Sequence, residues 1–236
     1  MAYWEPWRGC RIHSEGCRNC YIYGKSWIGD MPVPQIVKSA DFDLPVRKLK
    51  DGSPKVKSGR VWMCFRSDFF LGEADPWRAE AWNIIRERPD LGFFMITKRI
   101  ERLSECVPPD WGEGWDNVTI CCTMESQEEV DRRMPLYRDA SVKHKIVVCE
   151  PLLGPVDLTP WLGDWTEQVV CGGESGRDAR VCDYEWVLSL REQCAAAGVP
   201  FMYRQTGSLL LKEGVTHRIP YKMQFAQARK AGINIE

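Results

Sequence analysis

The chain has 236 residues and a hydrophobic fraction of 44%, enough to bury one sizeable core, while no apolar stretch reaches membrane-spanning length. Its formal net charge of −1 excludes a polycation that coats nucleic acid avidly, although it leaves room for a local basic patch. Eleven cysteines, an odd number, with no secretory signal segment argue against a disulfide framework and point to a reducing cytoplasm.

Taken in chain order, the first feature is Cys10-Arg-Ile-His-Ser-Glu-Gly-Cys17-Arg-Asn-Cys20-Tyr21. Three thiolates from one short loop can hold three irons of a [4Fe–4S] cube and leave the fourth open to a cofactor. With His13 added, the same loop offers a Cys3His set for zinc, so both readings stand at this point. Residues 30 to 60 lack periodicity and hold Pro32, Pro34, Pro45 and Pro54. Within them Arg47, Lys48, Lys50, Lys55, Lys57 and Arg60 form a basic run, read either as a solvated loop or as an arm gripping phosphates.

Six continuous apolar runs follow: 61–65, 93–97, 118–122, 145–149, 168–171 and 200–204. Such runs suit parallel strands covered on both faces. A helix is expected from Glu73 to Arg88, stopping before Pro89. A second opens at a Ser126–Glu129 capping box and runs towards Arg138, shortened or kinked by Pro135. A third is capped by Asp183, runs to Ala197 and ends at Gly198. This alternation is the βαβ signature and favours a parallel barrel over a flat sheet. After Gly207 come the triplet Leu209-Leu210-Leu211 and a last helix carrying Lys222, Arg229 and Lys230. Trp4, Trp7, Trp111 and Trp115 neighbour Pro or Gly and are expected to cover loops and a rim rather than fill the core.

Chemistry in α/β barrels gathers where strands finish. Polar residues recur there: Arg66-Ser67-Asp68, Thr97-Lys98-Arg99, Thr123-Met124-Glu125-Ser126, Glu150-Pro151, Gly172-Gly173-Glu174-Ser175-Gly176 and Arg204-Gln205. Each alone reads as a cap or turn, whereas six at equivalent positions suit a zwitterionic ligand, with carboxylates for an ammonium and Lys for a carboxylate. Gly172-Gly173 allows backbone to approach a ligand closely, or simply makes a tight turn.

On these residues the chain resembles the phage Gp37/Gp68 family, also called DUF5131, whose members look like divergent radical SAM proteins. The carriers are Trp4-x-Pro6-Trp7-x-Gly9-Cys10, Ser14-x-Gly16-Cys17-x-x-Cys20-Tyr21, Ser67-Asp68-x-Phe70, Thr97-Lys98-Arg99, Glu150-Pro151-Leu152-Leu153-Gly154-Pro155, Gly172-Gly173-Glu174-Ser175-Gly176 with Arg180, and Gln205-x-Gly207. The resemblance implies an α/β fold, a partial (β/α)6-type TIM-like barrel of the radical SAM kind. It spans 1–207 with a basic insertion at about 30–60, and 208–236 form an extension whose short helix packs on the barrel. It implies a [4Fe–4S] cluster on Cys10, Cys17 and Cys20, and S-adenosylmethionine on the open iron. The order of Ser67, Lys98 and the Thr123 region is also similar to the cofactor-holding positions of spore photoproduct lyase.

Two departures stand out. Radical SAM proteins usually space these cysteines C-x3-C-x2-C, and here the first gap is six. Their Gly-Gly-Glu motif follows the second strand, but Gly172-Gly173-Glu174 comes late, so the usual amine-binding role falls to Ser67 and Asp68 rather than Glu174. On this reading Ser67, Asp68 and Lys98 hold the methionine part, Thr123 and Glu125 lie near ribose or methionine, and Tyr21 sits beside cluster and adenine. Glu150, Glu174, Arg180 and Arg204 face the substrate, or form strand-end salt bridges. A 5′-deoxyadenosyl radical would abstract hydrogen from a substrate carbon, after one electron arrives from a donor such as flavodoxin. The implied substrate is an amino-acid-modified thymine in phage DNA, flipped out or single-stranded, with Trp111 or Trp115 stacked on it. A radical SAM enzyme acting on a peptide or small molecule, and a non-catalytic zinc module that binds nucleic acid, are the competing expectations.

Overall fold

The computed structural model describes residues 2–23 and 35–236. Part of the expected basic insertion, 30–34 with Pro32 and Pro34, lies outside the described residues. Seven parallel strands form a curled half-barrel in the order β1 (Ala2–Trp4), β4 (Gly59–Met63), β5 (Leu91–Thr97), β6 (Val118–Thr123), β7 (His144–Cys149), β8 (Gln168–Gly172), β10 (Phe201–Gln205). The six expected runs are six of these strands. The seventh, β1, is three residues long and too short to show a period of its own; it pairs in parallel with β4 from Ala2↔Val61 to Trp4↔Met63. A short ribbon, β2 (Trp7–Arg8) with β3 (Val37–Lys38), flanks it.

Both sheet faces are apolar because each covers something different. Phe93, Met95, Ile120, Cys122, Val147, Cys149, Val169, Cys171 and Phe201 belong to the main core. Cys121, Ile146, Val148 and Val170, with Trp62, Phe94 and Ile96 packed on them, form a separate inner layer. Long helices connect only some strands: α1 (Asp75–Glu87), α3 (Gln127–Asp139) and α4 (Tyr184–Ala197). The β5–β6 crossing holds only the one-turn α2 (Leu103–Cys106), and β7 reaches β8 through an irregular segment. Asp183 caps α4 through the Glu185 amide, and Gly198 ends it at φ +66°, as expected. Ser126 accepts from the Glu129 amide, giving half of the capping box; the Glu129 carboxylate bonds Arg132 and Arg133 instead. Pro135 does not shorten α3, which continues to Asp139.

The expectation for the tryptophans is corrected. Trp4 and Trp7 are fully buried and Trp111 nearly so, while Trp115 packs partly buried against Trp82 and Trp111. Their loops plug the core, and each indole N–H finds an acceptor that makes burial possible: Trp4 on the Phe42 carbonyl, Trp7 on Asp68, Trp111 on Ser141, Trp115 on Asp110. Trp111 and Trp115 precede β6, at the strands' N-terminal end, and cannot stack on a base at the other end. The basic segment is also at that N-terminal end. Arg88, just before β5, donates to the carbonyls of Pro45 and Val56, and Arg47 pairs with Asp41 and Asp43. It is a folded loop opposite the polar strand ends, not an arm over them.

The extension is woven into the barrel. β11 (Leu209–Lys212) pairs with β12 (Val215–Arg218) on one side and with β9 (Cys182–Asp183) on the other. The expected last helix is α5 (Tyr221–Lys230); its fully buried Gln224 bonds Ser175 and Ser208. Among the described residues no helix is long and apolar enough to cross a membrane.

Candidate functional site

At the C-terminal ends of the strands lies a cavity of about 360 Å³, within the size range of small-molecule sites. All six polar strand ends reach it: Ser67 and Asp68, Lys98 and Arg99, Thr123, Glu150, Glu174 and Ser175, Arg204 and Gln205. Cys10, Cys17, Cys20 and Tyr21 close it from the cysteine loop, and Ile96 and Val148 of the inner layer also line it. Convergence of the strand ends with the three cysteines is therefore realised. Among the described residues, no three His, Cys, Asp or Glu side chains converge on one point as a single bound ion requires. His13 does not line the cavity; it meets Glu101 at 3.3 Å and Arg132 at 3.2 Å.

The loop's path follows from its sequence. Gly9 turns at φ +89°, where a Cβ would sit 2.5 Å from the Gln35 carbonyl oxygen. Its N–H donates to Arg66 and its carbonyl accepts from Ser67 Oγ at 2.6 Å, so the loop is tied to the end of β4. Glu15–Cys17 then form one 3-10 turn, and successive N–H groups of Cys17, Cys20 and Tyr23 fold back three residues.

Three clamps hold this loop, and they use residues expected to hold ligands. The first is Asp68 with Arg99. Asp68 accepts four donors: Phe70 N and Thr97 Oγ1 at 2.9 Å, Lys98 N at 3.0 Å and Arg99 Nη1 at 3.1 Å. Arg99 donates onward to the Arg11 carbonyl at 2.6 Å and lies 3.8 Å from Cys10 Sγ. Asp68 thus positions the loop rather than offering a free carboxylate to an ammonium. Burial pushes the Cys10 thiol up to about 11 despite the Arg99 charge, and also raises Cys20.

The second clamp is Glu125. It is fully buried and does not line the cavity, which corrects its expected place beside ribose or methionine. Its carboxylate accepts from Ser14 Oγ and from Arg133 Nη1 at 2.6 Å, with Lys98 Nζ at 3.1 Å. Burial alone would raise its pKa, but the Lys98 and Arg133 charges and the Ser14 bond outweigh it and hold the carboxyl at about 2. Gly16 packs on that carboxylate; a Cβ there would sit 2.5 Å from Oε1.

The third clamp is Glu174 with Arg180. Arg180 donates to both Glu174 oxygens, at 3.0 and 2.6 Å, and to the Glu15 carbonyl at 3.2 Å, while Asn19 donates to Glu174 at 3.0 Å. Burial opposes ionisation of Glu174, yet the Arg180 and Asn19 donors leave its pKa lowered. Arg180 does not line the cavity and so does not face a substrate there. Glu150 forms the expected strand-end alternative too, bonding Arg204 at 2.6 Å and Gln205.

Lys98 is different. Its Nζ lies beside Glu125, yet it is buried and makes no hydrogen bond among the described residues. Lys98 lines the cavity while its Nζ rests against Glu125, so an anionic group of a ligand would draw on donors that Glu125 leaves unused. Arg133 and Asn19 were not singled out from the sequence, and Arg99 and Ser14 were named there only within motifs; the partners of Arg99, Ser14 and Asn19 are 31 to 155 residues away, and that of Arg133 is 8 residues away. Tyr221 and Phe225 of α5 also line the cavity and were missed; Tyr221 and Tyr21 are each 68% exposed, and Arg204 lies 5.3 Å over the Phe225 ring.

The two glycines of the fifth strand end are packed against neighbours on their Cα side, and Gly173 also lines the cavity. A Cβ on Gly173 would meet the Thr206 carbonyl oxygen at 2.4 Å, and one on Gly172 the Glu150 Cδ at 2.9 Å. Gly173→Ala is expected to destabilise the fold by roughly 1–3 kcal/mol, because two backbones must separate. A denaturant midpoint equal to wild type would show that this contact is not tight.

In comparisons with known proteins, the family described as "Protein of unknown function (DUF5131)" matches residues 1–233. Neither a curated protein nor a solved structure matches the chain.

Proposed function

The chain belongs to the DUF5131 family, and from that premise we propose that it is a radical SAM enzyme whose cofactors sit in the strand-end cavity. The supporting observation is that three thiols from one short, triply clamped loop line the same cavity as all six polar strand ends. The donor set fits the group: three sulfurs spread along a cavity wall suit separate irons of a cube and leave one iron for an external ligand. Cys10, Cys17 and Cys20 would hold the cluster, and Lys98 would offer its unused donors to the carboxylate of S-adenosylmethionine. When bound, the pair supplies a 5′-deoxyadenosyl radical for hydrogen abstraction.

The protein's own task is to orient and to exclude water. Asp68, Glu125 and Glu174 are committed to fixing the loop, so they hold the sulfurs without competing for ligand. Ile96 and Val148 give the cavity an apolar part. For the substrate we propose a modified thymine base in DNA, as single strand or flipped out. The support is the aromatic rim of Tyr21, Tyr221 and Phe225 beside Arg204, which offers stacking faces at the mouth. The basic loop 47–60 gives this no support, because it lies at the other end of the barrel.

Anaerobic reconstitution, then incubation with S-adenosylmethionine and dithionite, tests the reading. The expected result is roughly four irons per chain and release of 5′-deoxyadenosine. A colourless protein holding one zinc would replace this reading with a zinc module. Nucleosides from phage DNA, with and without this protein, test the substrate; an unchanged profile would remove DNA and leave a peptide or small molecule.

A further inference from the structure

A second concavity, about 610 Å³, lies on the other side of α5 from the mouth. The start of α4, strand β10, the β11–β12 hairpin and the outer face of α5 enclose it. Lys212, His217, Arg218 and Lys230 line it, and no Asp or Glu does. Among the described residues Arg218 and Lys230 have no carboxylate partner, and Lys212 has only the exposed Glu213 at 3.8 Å. A cleft of cations without counter-charges concentrates anions.

A second observation is independent of those charges. Tyr203 lines the same cleft, is 1% exposed, and its hydroxyl makes no hydrogen bond among the described residues. Its ring is fixed against Tyr184, whose other neighbour is the Lys212 ammonium, 5.3 Å from the Tyr184 ring centroid. Buried hydroxyls are normally paired, and an unpaired one calls for an explanation. The Tyr203 hydroxyl is sealed from the cleft beside Cys171 and Cys182, so the cleft meets an anion through the Tyr203 ring wall and the Lys212, His217, Arg218 and Lys230 donors, which suit the several acceptor oxygens of a phosphate.

We propose that this cleft binds a phosphate group, carried by a nucleotide or by a nucleic-acid backbone. Arg218, Lys230 and Lys212 supply the charge and the hydrogen-bond donors. The proposal does not depend on the cluster: the cleft and the mouth share α5 but no lining residue.

Fluorescence anisotropy with a labelled single-stranded oligodeoxythymidylate, and competition by thymidine monophosphate and by inorganic phosphate, provide the test. Wild type is expected to bind with an affinity that falls as salt rises. Arg218→Ala with Lys230→Ala should weaken binding about tenfold and flatten the log–log salt slope by about 1.4, for two lost phosphate contacts. Both side chains are exposed, so the double variant should melt as wild type does. Lys212→Ala, at an exposed side chain that lines the cleft, should weaken oligonucleotide and inorganic phosphate alike. Thymidine monophosphate competing as tightly as the oligonucleotide assigns the cleft to a nucleotide; much weaker competition assigns it to a backbone. No binding by wild type, unchanged affinity in the double variant and in Lys212→Ala, or a loss produced instead by Arg204→Ala at the mouth would each overturn the assignment. Cys17→Ala should bind phosphate normally, which separates this result from the fate of the radical reading.

Discussion

Cys17→Ala is expected to reduce iron content and 5′-deoxyadenosine formation to background. Cys17 is 7% exposed, lies between the other two thiols in the loop and lines the cavity with them. Alanine removes one sulfur and leaves the clamps at Asp68, Glu125 and Glu174 in place. The loop should therefore keep its shape with two ligands, too few for a cube that leaves only one iron to an external ligand. Cys194→Ala is the matched control. That thiol is buried between α4 and the sheet and burial raises its pKa to about 12, so iron should be unchanged. Iron bound equally by both variants would refute the assignment of the loop.

Glu125→Gln should cost about 3–5 kcal/mol, because it leaves the fully buried Arg133 and its neighbour Lys98 without their shared counter-charge. For a chain of this length that lowers the melting temperature by roughly ten degrees. Adding Arg133→Met should recover part of the loss, since a buried charge left with Glu129 as its one carboxylate disappears. Wild-type stability should also depend on pH through this group. Its folded pKa, about 2, lies below the ordinary 4.5. The stabilisation is thus complete above about pH 4.5 and is lost as pH falls towards 2. An acid-unfolding curve that Glu125→Gln leaves unshifted would show that Glu125 is not the titrating anchor. Because Ser14 bonds the same carboxylate, amide exchange in residues 14–17 should quicken in the variant.

Much of this architecture could be read from the sequence, and the reasons are local. Six strands announced themselves as apolar runs because a curled parallel sheet buries both faces. The α4 ends were written in Asp183 and Gly198, whose effects reach only a few residues along the chain. That six polar strand ends meet follows from topology once the strands are parallel. What each of those side chains touches was not legible. Asp68, Glu125 and Glu174 are the same carboxylates whether they grip a ligand or the cysteine loop, and only the fold puts Arg99, Ser14 and Asn19 within reach of them. Trp4 and Trp111 misled for a related reason: a neighbouring Pro or Gly marks a loop, but Trp4 is the last residue of β1, and the Trp111 loop plugs the core. The aromatic residues at the mouth came from α5, far along the chain from the motifs, so no spacing pointed to them.

The eleven sulfurs are sorted by place. Three stand in the loop at the cavity, and Cys64, 2% exposed, lines it from the end of β4; Cys106, Cys121, Cys122, Cys149, Cys171, Cys182 and Cys194 are sealed in packing, with burial raising the pKa of Cys64 and of these seven. Burial raises Cys10 and Cys20 as well, so what separates the two sets is access: a shielded thiol is a poor nucleophile. Oxidants and alkylating reagents therefore reach the entrance first and leave the interior alone. The molecule would lose its chemistry in air well before it lost its shape, and a well-folded preparation would say nothing about whether the entrance is still intact.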